Sequence, residues 1–172
     1  MSGGGITPAE RGTATHKAMQ FFDFEKSGDI VGEIHRLYEW QFLSEREAKS
    51  IHIEGLRRFF ESDVFARITR AGEVHRELRF LTELPAGQID PSLKDGLADE
   101  KVVVQGAVDL CFVEGDSVTV LDFKTDHVTS PEELAAAYGG QLGVYALACE
   151  KIFGKPVKQM IYSFCLHREI ML

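Results

Sequence analysis

The sequence has few cysteines and lacks long apolar runs. Its three cysteines, Cys111, Cys149 and Cys165, are widely spaced within apolar patterns, which favours buried free thiols over a disulfide framework or a metal cluster. No apolar run is long enough to cross a bilayer, and the first five residues have neither the basic nor the hydrophobic region of a signal peptide. We therefore expect a cytoplasmic protein with no membrane partner.

Positive charge is also scarce. The chain has 19 Lys and Arg against 27 Asp and Glu, a formal net charge of −8. Because phosphate contacts need clustered Lys and Arg, this balance disfavours a freestanding protein that binds nucleic acid tightly. This argument does not apply to a domain that receives its nucleic-acid strand from an attached partner. Repeats and a Walker-type phosphate loop are absent as well, so the chain contains no ATPase motor.

The first part of the chain, residues 1–72, is predicted to be helical. Thr7-Pro-Ala-Glu10 and Ser44-Glu-Arg-Glu47 are capping boxes, which predict a helix at 8–24 and another that runs from Ser44 through Phe60. Shorter helices are expected at 30–40 and 63–70. On the first helix, Gly12 precedes His16 by one turn and leaves room for another backbone or a phosphate. A lone helical histidine is more often a surface or core residue.

Residues 73–172 are predicted to form a sheet with one long helix, and 172 residues of 44% hydrophobic content suffice for one globular domain. Residues 74–80 alternate with period two, which predicts a strand with Val74, Leu78 and Phe80 on one face and Glu77 on the other. Residues 84–100 are expected to be a mobile loop. A helix capped at Ser130 and ending near Gly154 leads to a strand at 158–166. This strand–helix–strand crossover predicts that the strands before and after the helix run parallel.

A hairpin at residues 101–125 carries the most informative polar residues. If Gly115-Asp116 is a two-residue turn with glycine first, Asp109 lies directly opposite Asp122. Side chains alternate along a strand, so Lys124 points to the same side as Asp122. The hairpin therefore predicts two carboxylates and a lysine on one face.

Two like charges about 4 Å apart repel by roughly 4 kcal/mol at an effective dielectric constant near 20. A divalent metal held by Asp109 and Asp122, with Lys124 near a bound water or phosphate, uses all three residues. The simpler alternative is a salt bridge between Lys124 and one acid. Glu77 is either an exposed edge-strand residue or a third acid near this metal.

One stripe of the long helix carries Tyr138, Gln141 and Tyr145 at positions i, i+3 and i+7. The stripe is either part of the core or a group that holds a nucleotide or orients an active-site residue. A glutamine between two tyrosines is an unusual choice for a core.

The order of these elements resembles the PD-(D/E)XK nuclease superfamily, and more closely the C-terminal nuclease domain of the AddA and RecB helicase-nucleases. The resemblance covers nearly the whole chain and rests on five stretches in order: Gly12-Thr-Ala-Thr-His16, Arg76-Glu77, Gln105-Gly-Ala-Val-Asp109, Leu121-Asp-Phe-Lys-Thr-Asp126 and Gln141-Leu-Gly-Val-Tyr145.

The resemblance implies an α/β, restriction-endonuclease-like fold with a mixed central sheet, flanking helices and an N-terminal helical part. By the same resemblance, His16, Asp109, Asp122 and the carbonyl of Phe123 would be metal ligands, and Lys124 would be the catalytic lysine. The metal would be Mg²⁺, with Mn²⁺ able to substitute.

Three further residues gain roles from the resemblance. Glu77 would assist near the metal, and Gln141 and Tyr145 would form a supporting Gln-x-x-x-Tyr motif. Relatives with an iron–sulfur cluster carry four cysteines, so three cysteines at other spacings imply no such cluster. The implied partners are single-stranded DNA ends, a helicase region of the same parent chain and an AddB-type subunit. The glycine-rich start suggests a C-terminal fragment of that longer chain.

Two other functional classes are compatible with the sequence. One is a nuclease-fold module that binds DNA or a partner without cutting. The other is a hydrolase that uses paired carboxylates as acid and base, although such an enzyme needs neither an adjacent lysine nor a histidine on a preceding helix.

Overall fold

A computed structural model describes residues 6–94 and 96–172. The glycine-rich start and Asp95, within the predicted loop, lie outside the described residues. Five strands form one sheet in chain order: β1 (Glu73–Pro85), β2 (Lys101–Glu114), β3 (Ser117–Lys124), β4 (Val157–Ser163) and β5 (Arg168–Met171). The helices are α1 (Pro8–Phe21), α2 (Ile30–Glu39), α3 (Glu45–Ser50), α4 (Ile53–Phe60), α5 (Asp63–Arg70), α6 (Ala86–Ile89) and α7 (Pro131–Phe153).

The sheet is mixed, as predicted. Strands β1, β2 and β3 pair antiparallel. At the start of β3, Val118 N donates to Pro156 O (2.9 Å), and at its end Lys124 O accepts from Phe164 N (2.9 Å). Because these bonds follow the same order along β3 and β4, the two strands run parallel. The chain therefore has the mixed sheet and flanking helices of the predicted α/β class.

The β2–β3 register is confirmed. Leu110 pairs with Leu121, and the pairs continue outward to the turn. Gly115 opens this turn with a φ of 56°, a conformation that glycine adopts without a steric penalty. The predicted pairing of Asp109 with Asp122 lies one step beyond the last observed pair, Leu110 with Leu121, and stays a prediction.

The side chains of β1 alternate between the two faces of the sheet, and this pattern shifts by one residue at Glu77. His75 contacts Phe153 of α7 with ring centroids 5.5 Å apart, and Phe80 contacts Tyr145 of α7 at 5.7 Å. These strand residues are five positions apart, so strict alternation would place them on opposite faces. Glu77 lies between them with a left-handed φ of 52°. This conformation shifts the alternation by one residue.

The phase change corrects one sequence-based expectation. Leu78 and Phe80 do pack on the side of α7, but His75 rather than Val74 joins them there. Val74 is 38% exposed. A left-handed glutamate cannot be read from a period-two pattern, which is why the prediction failed for Val74.

The described residues divide into two compact units. The first unit contains the residues up to Arg70 together with Phe123–Thr129 and Tyr162–Glu169. Its aromatic core centres on Phe59, whose ring lies 5.3 Å from that of Phe123 and 4.9 Å from that of Tyr162. Burial raises the pKa of Tyr162 to about 12, because the low-dielectric interior disfavours the phenolate.

The helices of the first unit follow the predicted pattern with one correction. Both capping boxes are present, but the single helix expected from Ser44 through Phe60 is divided into α3 and α4. Ile51 is extended (ψ 128°) and buried, and His52 caps α4 by accepting a hydrogen bond from Gly55 N. Histidine is not among the preferred capping residues, so the sequence did not signal the break.

The second unit contains Ala71–Asp122, Ser130–Ile161 and Ile170–Leu172. Strands and α7 enclose its core, whose buried members are Phe80, Val108, Cys111, Val118, Val120, Ala148 and Cys149. Cys111 and Cys149 are buried free thiols, as predicted, whereas Cys165 in the first unit is partly exposed. Ser130 is the N-cap of α7, as predicted, but its side chain makes no capping hydrogen bond.

The segment predicted as a loop at 84–100 contains regular structure. Strand β1 continues to Pro85, α6 follows, and a single 3-10 turn spans Leu97–Asp99. A Cβ on Gly87 would lie 2.8 Å from that of Ala98. Glycine therefore permits a close contact between α6 and the 3-10 turn. The prediction of a loop rested on composition alone and was wrong for these residues. No helix among the described residues is long and apolar enough to span a membrane.

A salt bridge between α1 and α3 leads to a first prediction. Lys17 Nζ lies 2.6 Å from Glu47 Oε1, and this hydrogen bond, assisted by Ser44, lowers the pKa of Glu47 to about 2. A carboxyl whose pKa is lower when folded stabilises the protein above its unfolded pKa, and that contribution is lost as the pH falls toward the folded pKa. Because Lys17 is 41% exposed, we expect Glu47→Gln to lower the free energy of unfolding by only about 1 kcal/mol at neutral pH.

The difference between Glu47→Gln and wild type should shrink as the pH is lowered from about 4.5 to about 2, in urea titrations followed by circular dichroism. Glutamine retains the capping geometry, so the variant removes only the charge. Glu45→Gln, at the more exposed pair with Lys49, is the matched control and should have the smaller effect. A difference that stayed constant over this pH range would contradict the assignment.

Candidate functional site

Three carboxylate residues of the second unit, Glu77, Asp109 and Asp122, lie on three adjacent strands and are called the acidic row here. The β1–β2 pairs Arg76–Leu110 and Leu78–Val108 flank Glu77 and Asp109, and the β2–β3 pairs run from the turn to Leu110 and Leu121, the neighbours of Asp109 and Asp122. Asp122 is only 2% exposed, while Asp109 and Glu77 are half-buried. Like charges on adjacent strands repel each other, and this repulsion destabilises a sheet unless another group offsets it.

The backbone marks the same row. Glu77 has a φ of 52°, a conformation that costs a glutamate free energy and that clusters at binding and catalytic sites. This observation favours the interpretation of Glu77 as a member of the acidic site over that of an ordinary edge-strand residue. The sequence pattern supported both.

The Gln-x-x-x-Tyr pair of α7 lies over the strand that carries Asp109. Gln141 is exposed and donates from Nε2 to the hydroxyl of Tyr145 at 2.7 Å, so the alternative of a core glutamine is wrong. The Tyr145 ring contacts Phe80, and a Cβ on Gly106 would lie 3.1 Å from Tyr145 Cε1 and 2.8 Å from Phe80 Cζ. Gly106 thus gives both rings room against β2. Sequence analysis did not single it out, although a glycine inside a strand signals such close packing.

In the first unit, α1 meets the end of β3. The rings of His16 and Phe123 contact edge to face, with centroids 6.5 Å apart. A Cβ on Gly12 would lie 2.9 Å from Thr125 Oγ1, which confirms that this glycine admits another segment. His16 and Lys124 are half-buried. The structure therefore brings together the histidine and the strand residues on either side of Lys124.

The four predicted ligands divide between the two units. Asp109 and Asp122 belong to the second unit, together with Glu77, which was predicted to assist, and in the first unit His16 contacts Phe123. Asp122 and Phe123 are consecutive residues of β3. Carboxylate and carbonyl oxygens with one imidazole are donors that suit Mg²⁺ or Mn²⁺. The donor chemistry therefore fits a hard divalent ion, although no three His, Cys, Asp or Glu side chains within residues 6–94 and 96–172 converge as a ready metal site.

A cavity of about 360 Å³ in the first unit was not predicted. Its lining includes Arg11, His52, His127 and His167. These residues are far apart in the sequence and follow no motif. Only the fold gathers them, so no local signal could have revealed the cavity.

Comparisons with known proteins agree with this geometry. A family model described as the PD-(D/E)XK nuclease superfamily matches residues 3–169. A protein of Clostridium botulinum (strain Alaska E43 / Type E3), named as an ATP-dependent helicase/nuclease subunit, is 38% identical over 176 residues, which cover 98% of this chain and 14% of the relative. Proteins of the same name from Clostridium kluyveri and Clostridium beijerinckii are each 34% identical, with the same coverage. The chain thus spans about one seventh of the length of these relatives.

Proposed function

The chain belongs to the PD-(D/E)XK nuclease superfamily, and from this premise we propose that it is a Mg²⁺-dependent deoxyribonuclease domain that hydrolyses phosphodiester bonds. The observation that carries the proposal is the β2–β3 register, which runs to Leu110 and Leu121, the residues next to Asp109 and Asp122, with Lys124 two residues beyond Asp122 in β3. Two carboxylates and a lysine at this spacing are the reactive groups that the superfamily requires.

The proposed metal ligands are His16, Asp109, Asp122 and the carbonyl of Phe123. A divalent ion held there supplies Lewis-acid activation of the phosphate and of a water molecule. Lys124, on the same strand, positions that water or stabilises the negative charge that develops on the phosphate.

Three residues support this group in the proposal. Glu77 adds a third acid in the same row. Gln141 holds the hydroxyl of Tyr145, and Tyr145 packs on Gly106, three residues before Asp109 in β2. These contacts fix the strand from which Asp109 projects.

We further propose that residues 1–172 form one nuclease domain of a longer protein. The relatives are named as helicase/nuclease subunits, which supports a cytoplasmic exonuclease at the C-terminal end of a helicase-nuclease that acts in double-strand break repair and recombination. Its partners would be DNA, the helicase region of the parent chain and an AddB-type subunit. The absence of a motor and the net charge of −8 favour weak binding and action on single-stranded ends.

A cation titration tests the proposed function. The isolated chain should cut single-stranded DNA with Mg²⁺ or Mn²⁺ and cut poorly with Ca²⁺, which accepts looser geometry and acidifies water less. The assay follows a labelled oligonucleotide on a gel, with a blunt duplex as the comparison substrate. Undiminished cutting in excess EDTA would exclude the metal mechanism. Binding without cutting under every cation would favour a non-cleaving nuclease-fold module.

A further inference from the structure

The unpredicted cavity of the first unit has one arginine and three histidines in a lining whose surface is otherwise mainly apolar. Arg11 comes from α1, His52 from the start of α4, Thr125 and His127 from the segment after β3, and His167 from the turn between β4 and β5. Among the lining residues that the structure describes, none is acidic. In a chain with a net charge of −8, an arginine and several hydrogen-bond donors without an opposing carboxylate in the lining suit an anionic ligand.

The hydrogen bonds of His52 leave a donor for a ligand. Its Nδ1 accepts from Gly55 N at 3.1 Å, so in the neutral imidazole the proton is on Nε2. Gly55 makes this arrangement possible, because a Cβ there would lie 2.9 Å from His52 Nδ1. The fold thus sets both the tautomer and the position of the His52 ring.

His167 is held in a strained position beside His52. Its φ is 52°, its ring stacks near that of His52 with centroids 6.5 Å apart, and its Nδ1 is buried with no hydrogen-bond partner in the described part of the chain. Burial, and then the positive charge of Arg58, lower the pKa of His167. Strained backbone and an unsatisfied buried polar atom are features that proteins retain where a ligand binds.

The position of the cavity relates it to the proposed reaction. Thr125 follows Lys124 directly, so the lining begins one residue beyond the proposed catalytic lysine. Gly12 itself lies against the hydroxyl of Thr125, since a Cβ on Gly12 would be 2.9 Å from Thr125 Oγ1. The volume of about 360 Å³ accommodates a phosphate with its sugar, and Phe164 supplies an apolar wall.

We propose that this cavity binds a backbone phosphate of the DNA strand other than the phosphate that is cut. Arg11 supplies the charge, and His52 and His167 supply hydrogen bonds. The inference rests on the proposed nuclease function, because that function makes DNA the source of the phosphate. It adds a substrate-positioning site that the acidic row does not contain.

Binding of a fluorescein-labelled single-stranded oligonucleotide, measured by anisotropy in EDTA at low salt, tests the proposal without cleavage. Arg11→Ala should weaken binding about tenfold, and the slope of log K against log salt should decrease in magnitude by about one. His52→Asn and His167→Asn should weaken binding severalfold and leave that slope unchanged, since neutral histidines release no counterion.

The variants are chosen to preserve the fold. Asparagine is a good N-cap residue and so replaces His52 as the cap of α4, and it tolerates the left-handed conformation of His167. Arg46→Ala is the matched control, because Arg46 is a half-exposed arginine of α3 outside this cavity, near Glu10. It should bind DNA like the wild type.

Three outcomes overturn the inference: the wild type does not bind, all three cavity variants bind like the wild type, or Arg46→Ala weakens binding as much as Arg11→Ala. Competition identifies the source of the phosphate. If a free deoxynucleoside monophosphate displaced the oligonucleotide from the wild type but not from Arg11→Ala, the cavity would be a site for free nucleotide. Cleavage with Mg²⁺ is measured separately. If the wild type bound DNA through the cavity but did not cut it, the nuclease proposal would be refuted and the phosphate-binding site would stand.

Discussion

Asp109→Ala and Asp122→Ala should each abolish both Mn²⁺ binding and DNA cleavage. The β2–β3 register runs to the residues next to these two carboxylates, and Asp122 is 2% exposed, so no mobile surface acid can take the place of Asp122. Loss of one ligand of a hard divalent ion removes both its charge and its coordination geometry. Isothermal titration calorimetry with Mn²⁺ and a gel nuclease assay measure the two effects.

The same substitutions have an opposite effect on the metal-free fold. Removing one acid from the row relieves repulsion between Glu77, Asp109 and Asp122, so we expect the variants to unfold at the same or a higher urea concentration than the wild type. Asp116→Ala, in the turn of the same hairpin, is the control and should keep both metal binding and cleavage. Normal Mn²⁺ binding by Asp109→Ala would show that the hairpin is not the active site.

Lys124→Ala should lower the cleavage rate by a factor on the order of a hundred or more and leave metal binding intact or tighter. The substitution removes a positive charge near the acids but none of the proposed ligands. A group that acts on the transition state affects the rate more than it affects the binding of the ground state. The calorimetry and gel assay used for the acid variants therefore separate the role of the lysine from that of the acids.

Two companion variants sharpen the lysine prediction. Lys101→Ala removes an exposed lysine of β2 and should cut like the wild type. Lys124→Arg retains the charge but not the compact ammonium geometry, so we expect it to recover only part of the rate. A wild-type rate in Lys124→Ala would favour the salt-bridge interpretation of this residue and the non-cleaving module.

The hairpin was predictable because its register follows from one local feature. A two-residue turn with glycine first fixes which residues face each other over the whole strand pair, and the structure confirms this from the turn to Leu110 and Leu121. The Gln141–Tyr145 contact was equally accessible, since residues four apart on a helix are neighbours. Both depend on short distances in sequence.

The features that escaped prediction depend on contacts distant in sequence. The left-handed conformation of Glu77 is imposed by its surroundings and has no signature in a glutamate. The break between α3 and α4 depends on burial of Ile51 and on a histidine cap. The cavity at Arg11 and His167 requires two segments more than a hundred and fifty residues apart.

The central position of β3 affects how its residues move. It is the third of five strands, so both of its edges are paired, and every residue from Val118 to Phe123 is buried. Fraying that opens an edge strand does not reach it, and amide hydrogens in this strand should exchange only through larger unfolding events. If the chain is the proposed nuclease, the backbone of Asp122 and Phe123 should remain fixed during cleavage, and the motions that admit or release DNA should occur in other segments.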